Sequence, residues 1–109
     1  MTLLLQRLEC TLDRLQRQRK TMTYLQCADA IDVQPPYRIH QVAELLESLI
    51  ERDVRQGRPI RAALVVSRAR AGRPAEGFYL KAKTVAVFDG TQPDQFHEQC
   101  LQDLFDHSF

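Results

Sequence analysis

A chain of 109 residues is long enough to bury one modest core and too short for two ordinary ones. Hydrophobic residues make up 44% and charged residues 27%, a globular composition that excludes the disordered and fibrous classes. The net charge of +1 conceals an uneven distribution: Arg55 to Lys83 carries eight basic residues against Glu76 alone, whereas Asp89 to the end carries five acids and no Lys or Arg. These stretches either attract each other across the fold or leave a basic surface for an anionic partner.

The apolar run Met1-Thr2-Leu3-Leu4-Leu5 is broken by Gln6, Arg7 and Glu9 before a secretory or membrane-spanning segment is complete. A cytoplasmic protein with no membrane partner is expected. The cysteines Cys10, Cys27 and Cys100 are odd in number and lack Cys-x-x-Cys spacing, and the histidines His40, His97 and His107 are scattered. No metal site and no cofactor are expected from them.

Leu5, Leu8, Leu12 and Leu15 recur at spacings of three and four, the stripe of an amphipathic helix from about Leu3 to Lys20. Thr23 and Gln26 then have the spacing of a capping box, and Met22 with Cys27 that of a hydrophobic staple. A second, short helix starts there and ends near Ile31, because Pro35-Pro36 follows and the residue before a proline is pushed out of the helical region.

Beyond the prolines, Ile39, Val42, Ala43, Leu46, Leu49, Ile50 and Val54 set out a long helix over 37–56, closed at Gly57. Short helix, turn, long helix is the order of a helix-turn-helix. Arg61 to Ser67 reads as a β-strand, Arg68 to Gly77 as a Gly- and Pro-containing loop, and Phe78-Tyr79-Leu80 as the return strand of a hairpin. Lys81 to Phe88 is read as a short helix carrying Ala82, Val85 and Ala86. Thr91-Gln92-Pro93-Asp94 opens a terminal helix with Phe96, Cys100, Leu104 and Phe105 on one stripe.

Thr23-Tyr24-Leu25 opening a short helix, Pro35-Pro36-Tyr37-Arg38 before a long one, and Ala62-Leu64-Val65-Val66-Ser67 followed by Gly77-Phe78-Tyr79 resemble the winged helix-turn-helix domains of small uncharacterised bacterial proteins. The likeness covers about residues 22–80. It implies a three-helix core with a two-stranded β-hairpin wing over 67–77; with the N- and C-terminal helices read above flanking it, one α+β, mostly helical domain over 1–109 is expected. Many members of that superfamily bind DNA and others dock proteins, so the fold does not fix the function. DNA alkyltransferases share the Thr-Tyr opening and the winged helix, but their Pro-Cys-His-Arg nucleophile motif is missing here.

In a helix-turn-helix reader, side chains at the start of the second helix reach base edges, where Gln suits adenine and Arg suits guanine. Arg38, His40 and Gln41 occupy those positions, and Arg68, Arg70 and Arg73 crowd the wing, where arginines contact phosphates. Glu44, Glu47 and Glu51 oppose this by repelling a phosphate backbone. No nucleophile, base and orienting group share a motif, and no phosphate-cradling glycine loop is present, so catalysis has no support. Two readings remain: a non-enzymatic protein binding double-stranded DNA, dimeric through the first or terminal helix, or a protein-interaction adaptor with an acidic helix face and a basic wing.

Overall fold

The computed structural model describes residues 3–106, a mostly helical domain whose Cα radius of gyration, 12.8 Å, matches the roughly 13 Å of a folded chain of about 100 residues. His107 and the first two residues of the N-terminal apolar run lie outside the described residues. Among the described residues the order is α1 (Leu3–Gln18), β1 (Met22–Thr23), α2 (Tyr24–Ala30), α3 (Arg38–Arg55), β2 (Val65–Val66), α4 (Glu76–Thr84) and α5 (Pro93–Asp106). Two 3-10 turns, Arg61–Leu64 and Arg68–Arg70, flank β2.

The helix termini form where their local chemistry places them. Thr23 caps α2: its hydroxyl accepts from the Gln26 amide at 3.1 Å, and the Gln26 side chain accepts from the Thr23 amide at 2.9 Å. Both halves of the capping box are therefore made. At the far end of α3, Gly57 has φ +69°, the left-handed conformation that terminates a helix without a Cβ penalty. Pro93 stands at the first position of α5, where its missing N–H costs nothing.

The hairpin wing is where the structure departs from expectation. Phe78-Tyr79-Leu80 is helical, within α4, and so supplies no return strand. Phe78, Tyr79 and Ala82 are buried while Leu80 is 57% exposed, a pattern with the helical period; strand alternation would have put Phe78 and Leu80 on one face. The helix placed at Lys81 to Phe88 is real in type but begins five residues earlier, at Glu76, and ends at Thr84.

The strand expected over 61–67 shrinks to Val65–Val66, and its partner is β1, parallel, with Met22 opposite Val65 and Thr23 opposite Val66. Arg61 to Val66 are all buried, so this segment threads the molecular interior, where no edge offers Arg61–Leu64 a ladder and the 3-10 turn bonds them locally instead. The 67–77 loop closes on itself through an antiparallel bridge between Ser67 and Arg73, the Ser67 amide donating to the Arg73 carbonyl at 2.7 Å.

One hydrophobic core joins all of this. Leu8, Leu12 and Leu15 of α1 and Cys100 and Leu104 of α5 belong to the same cluster as Val42, Leu46, Leu49 and Ile50 of α3 and Ala63 to Val65. The core thus extends well outside 22–80. Beside it lies a charged centre: Arg61, 1% exposed, holds the fully buried Asp53 at 2.7 Å and reaches Asp13 and Glu9 at 3.1 Å each.

Candidate functional site

The connection between α2 and α3 presents its residues in a way that periodicity does not reveal. Arg38 points back into the connection, its Nε donating to the Val33 carbonyl at 2.8 Å and its guanidinium pairing with Asp29 at 2.7 Å. Gln41 does the same, donating from Nε2 to the carbonyls of Gln34 at 2.9 Å and Pro36 at 2.8 Å. Both side chains bind the loop that enters α3, whose Pro35-Pro36 bond is cis. A polar side chain beside a loop with unpaired carbonyls closes them first, because unpaired donors and acceptors are costly.

His40 is exposed and paired with Glu44 one turn on. Beside it stand Tyr37, 78% exposed, and Ile39, which the periodicity put on the apolar stripe of α3 but which is 52% exposed because the first turn of the helix extends beyond the core. Tyr37 occupies the N-cap of α3 at φ 60°, ψ 43°, with no capping hydrogen bond from its side chain. A left-handed conformation costs a non-glycine residue of order 1–3 kcal/mol, and here it holds an aromatic side chain in solvent at the start of α3. The available signal was its place directly after two prolines and before the helix.

The basic stretch is largely taken up by internal pairing. Arg55 and Lys81 both meet Glu51, Arg58 meets Asp13, Arg61 is enclosed, and Arg73 meets Asp94 at 3.2 Å. Glu51 is held below the usual carboxylate range chiefly by its hydrogen bond to Lys81. Arg68, Arg70 and Lys83 form no ion pair among the described residues; Arg70 donates from Nε to the Pro74 carbonyl at 2.9 Å, within its own turn. Arg68, Arg70 and Arg73 are exposed on a tight turn with Ala71 at φ 56° and Gly72 at φ 80°.

Arg70 and Arg73 also line a cleft of about 230 Å³ that they share with Lys83 of α4 and Asp94 of α5. The tail's contribution to the basic region is therefore local, through Asp94 at the start of α5. Burial pushes the thiols of Cys27 and Cys100 up to about 12, so neither is a thiolate at neutral pH. Burial also lowers the pKa of His97, whose Nε2 lies 2.9 Å from the Ala63 carbonyl. Among the described residues no cluster of His, Cys, Asp and Glu is placed to hold a metal ion, and no helix is long and apolar enough to cross a membrane. In comparison with known proteins, the chain matches no family model, no curated protein and no solved structure.

Proposed function

We propose that this protein is a non-catalytic binding protein for double-stranded DNA, built on a helix-turn-helix formed by α2 and α3. The observation that carries the reading is the tight 68–73 turn, which presents Arg68, Arg70 and Arg73 to solvent within six residues. Arginines on such a turn suit phosphates, which fix position without reading sequence. At the start of α3 the groove-facing role passes from Arg38 and Gln41, which are engaged in the connection, to Tyr37, Ile39 and His40, which are exposed. Arg38 and Gln41 keep a supporting role by holding the edge on which those residues stand. A winged-helix classification in this setting assigns the wing to the short Ser67–Arg73 turn in place of a hairpin.

Fluorescence anisotropy with a labelled duplex, run as a salt series from low ionic strength, tests the reading. Converting Arg68, Arg70 and Arg73 together to Ala is expected to weaken binding to every sequence alike and to reduce the log–log salt slope by about one unit for each phosphate no longer neutralised. Converting Tyr37 to Ala is expected to change sequence preference and leave the slope unchanged. A wild-type protein with no affinity for duplex DNA at low salt rejects the proposal.

The second reading, a protein-docking adaptor or a homodimer, is favoured by a specific observation: Leu25 on α2 and Tyr37 and Ile39 at the start of α3 are large apolar residues exposed at 52%, 78% and 52%. Exposed apolar surface of this kind is a feature of protein-binding surfaces where it forms a patch. Failure of the anisotropy experiment, with Tyr37→Ala lowering the mass seen by light scattering, favours this second reading.

A further inference from the structure

The geometry points to a small-ligand site at the cleft between the 68–73 turn, α4 and the start of α5, taking a phosphate monoester whose other end is apolar. Three cations, Arg70, Arg73 and Lys83, line a space of about 230 Å³, and two of them have no ion-pair partner among the described residues. Lys83 lies along Gly90: a Cβ there would stand 3.4 Å from the lysine Cε and Nζ. Glycine at 90, with φ +93°, forms the turn against which the lysine side chain lies at the cleft.

An independent observation marks the same place. Tyr79 lines the cleft and is 8% exposed, yet its hydroxyl is buried without a hydrogen-bond partner. A buried hydroxyl left unsatisfied costs stability, and such a group in a native structure calls for an explanation. Its pKa is raised, first by burial and then by Asp94, while Arg70 and Arg73 oppose the rise; the hydroxyl thus senses the charges that line the cleft and stays protonated at neutral pH, a donor awaiting an acceptor. A phosphate oxygen supplies one.

The walls account for the apolar end of the ligand. Leu80, 57% exposed, and Phe88 and Pro93 line the cleft, and Phe88 stacks on Phe96 at a centroid distance of 4.5 Å, which holds its ring in place. Glu76 and Asp94 are the acids on the lining. Asp94 is 59% exposed where it bridges Arg73, and an exposed pair is weak, so an incoming dianion exchanges with it on the arginine. The cleft shares Arg70 and Arg73 with the surface proposed for duplex, but a small phosphate ester is titrated with no duplex present, so failure of one reading is distinguishable from failure of the other.

Isothermal calorimetry with phenyl phosphate at low ionic strength tests the inference. Saturable binding at one site is expected, with phenol inert. Tyr79→Phe is expected to weaken binding about tenfold, the worth of one hydrogen bond to a charged acceptor, while the ligand-free melting temperature holds or rises because an unsatisfied hydroxyl is removed. Arg68→Ala, outside the cleft, is expected to leave affinity within about twofold. Asp94→Asn, which frees Arg73, is expected to tighten binding, and it decides the matter if Tyr79→Phe fails to fold. No saturable binding, equal affinity in Tyr79→Phe, or no gain in Asp94→Asn overturns the inference. Competition by an oligonucleotide only when it is 5′-phosphorylated identifies a nucleic-acid end as the source of the phosphate; equal failure of both oligonucleotides identifies a free metabolite.

Discussion

Arg61 is the residue on which the interior turns. Burial works against its charge, and the hydrogen bonds and charge of Asp53, followed by those of Asp13, outweigh it, so the guanidinium is held above its ordinary pKa. The Arg61 amide also donates to Asp53 at 3.0 Å, which ties the buried carboxylate to the start of the 3-10 turn. Arg61→Ala strands Asp53 in the core and is expected to cost about 3–5 kcal/mol by urea denaturation. A loss below about 1 kcal/mol contradicts a buried, essential pair. Removing both partners together, as Arg61→Met with Asp53→Leu, is expected to cost less than either single change, because no unpaired charge then remains.

His97 sets a pH dependence of definite sign. Burial lowers its folded pKa below the ordinary 6.5, and the Ala63 carbonyl, Glu98 and Asp94 only partly offset this. The unfolded chain therefore binds a proton at a pH where the folded chain still does not. Stability is expected to be full above about pH 6.5 and to fall as pH drops through the folded pKa, by up to about 1.4 kcal/mol per pH unit. Denaturation of wild type and His97→Gln at pH 7.5 and 5.5 measures this difference. A wild type that loses no more than the variant contradicts it.

At the scale of elements, α4 is the informative case. Its buried face is Phe78, Tyr79 and Ala82, with Phe78 packed edge-on to Tyr79 at 5.1 Å and to His97 at 6.1 Å. Phe78→Ala is expected to cost about 3–5 kcal/mol, whereas Leu80→Lys on the exposed side is expected to change stability by less than about 0.5 kcal/mol. Thermal melts of both variants separate the helix from the alternating strand, in which Leu80→Lys would be as damaging as Phe78→Ala. Gly77 lies under the Glu47 side chain of α3: a Cβ there would stand 2.7 Å from the carboxylate oxygen, and that side-chain end would have to swing aside.

At the scale of the whole molecule, the first and last helices are part of the core rather than flanking decoration. Leu8 and Leu12 are fully buried and Leu104 is 1% exposed, and the Gln16 amide of α1 donates to the Leu104 carbonyl of α5 at 2.9 Å. A fragment of residues 22–80 is therefore expected to show no cooperative unfolding transition by circular dichroism. A cooperative melt of that fragment would place the folding unit inside it.

The sequence by itself determined what depends on near neighbours along the chain. The stripe of Leu8, Leu12 and Leu15, the Thr23 and Gln26 capping box, the glycine closing α3 and the proline opening α5 act within one or two helical turns, so they read directly as α1, α2, α3 and α5. Only the tertiary structure decided what depends on partners far away. Arg61 to Ser67 has strand composition, but a strand needs an edge, and the edge at hand was Met22–Thr23, remote in the chain. Phe78 to Leu80 resolved into a helix because its burial had to follow a helical face against α3. The same physics decided the partners of the candidate side chains: Arg38, Gln41 and Arg73 look free in sequence, and each found an acceptor only when the turn after α2 and the start of α5 came within hydrogen-bonding distance.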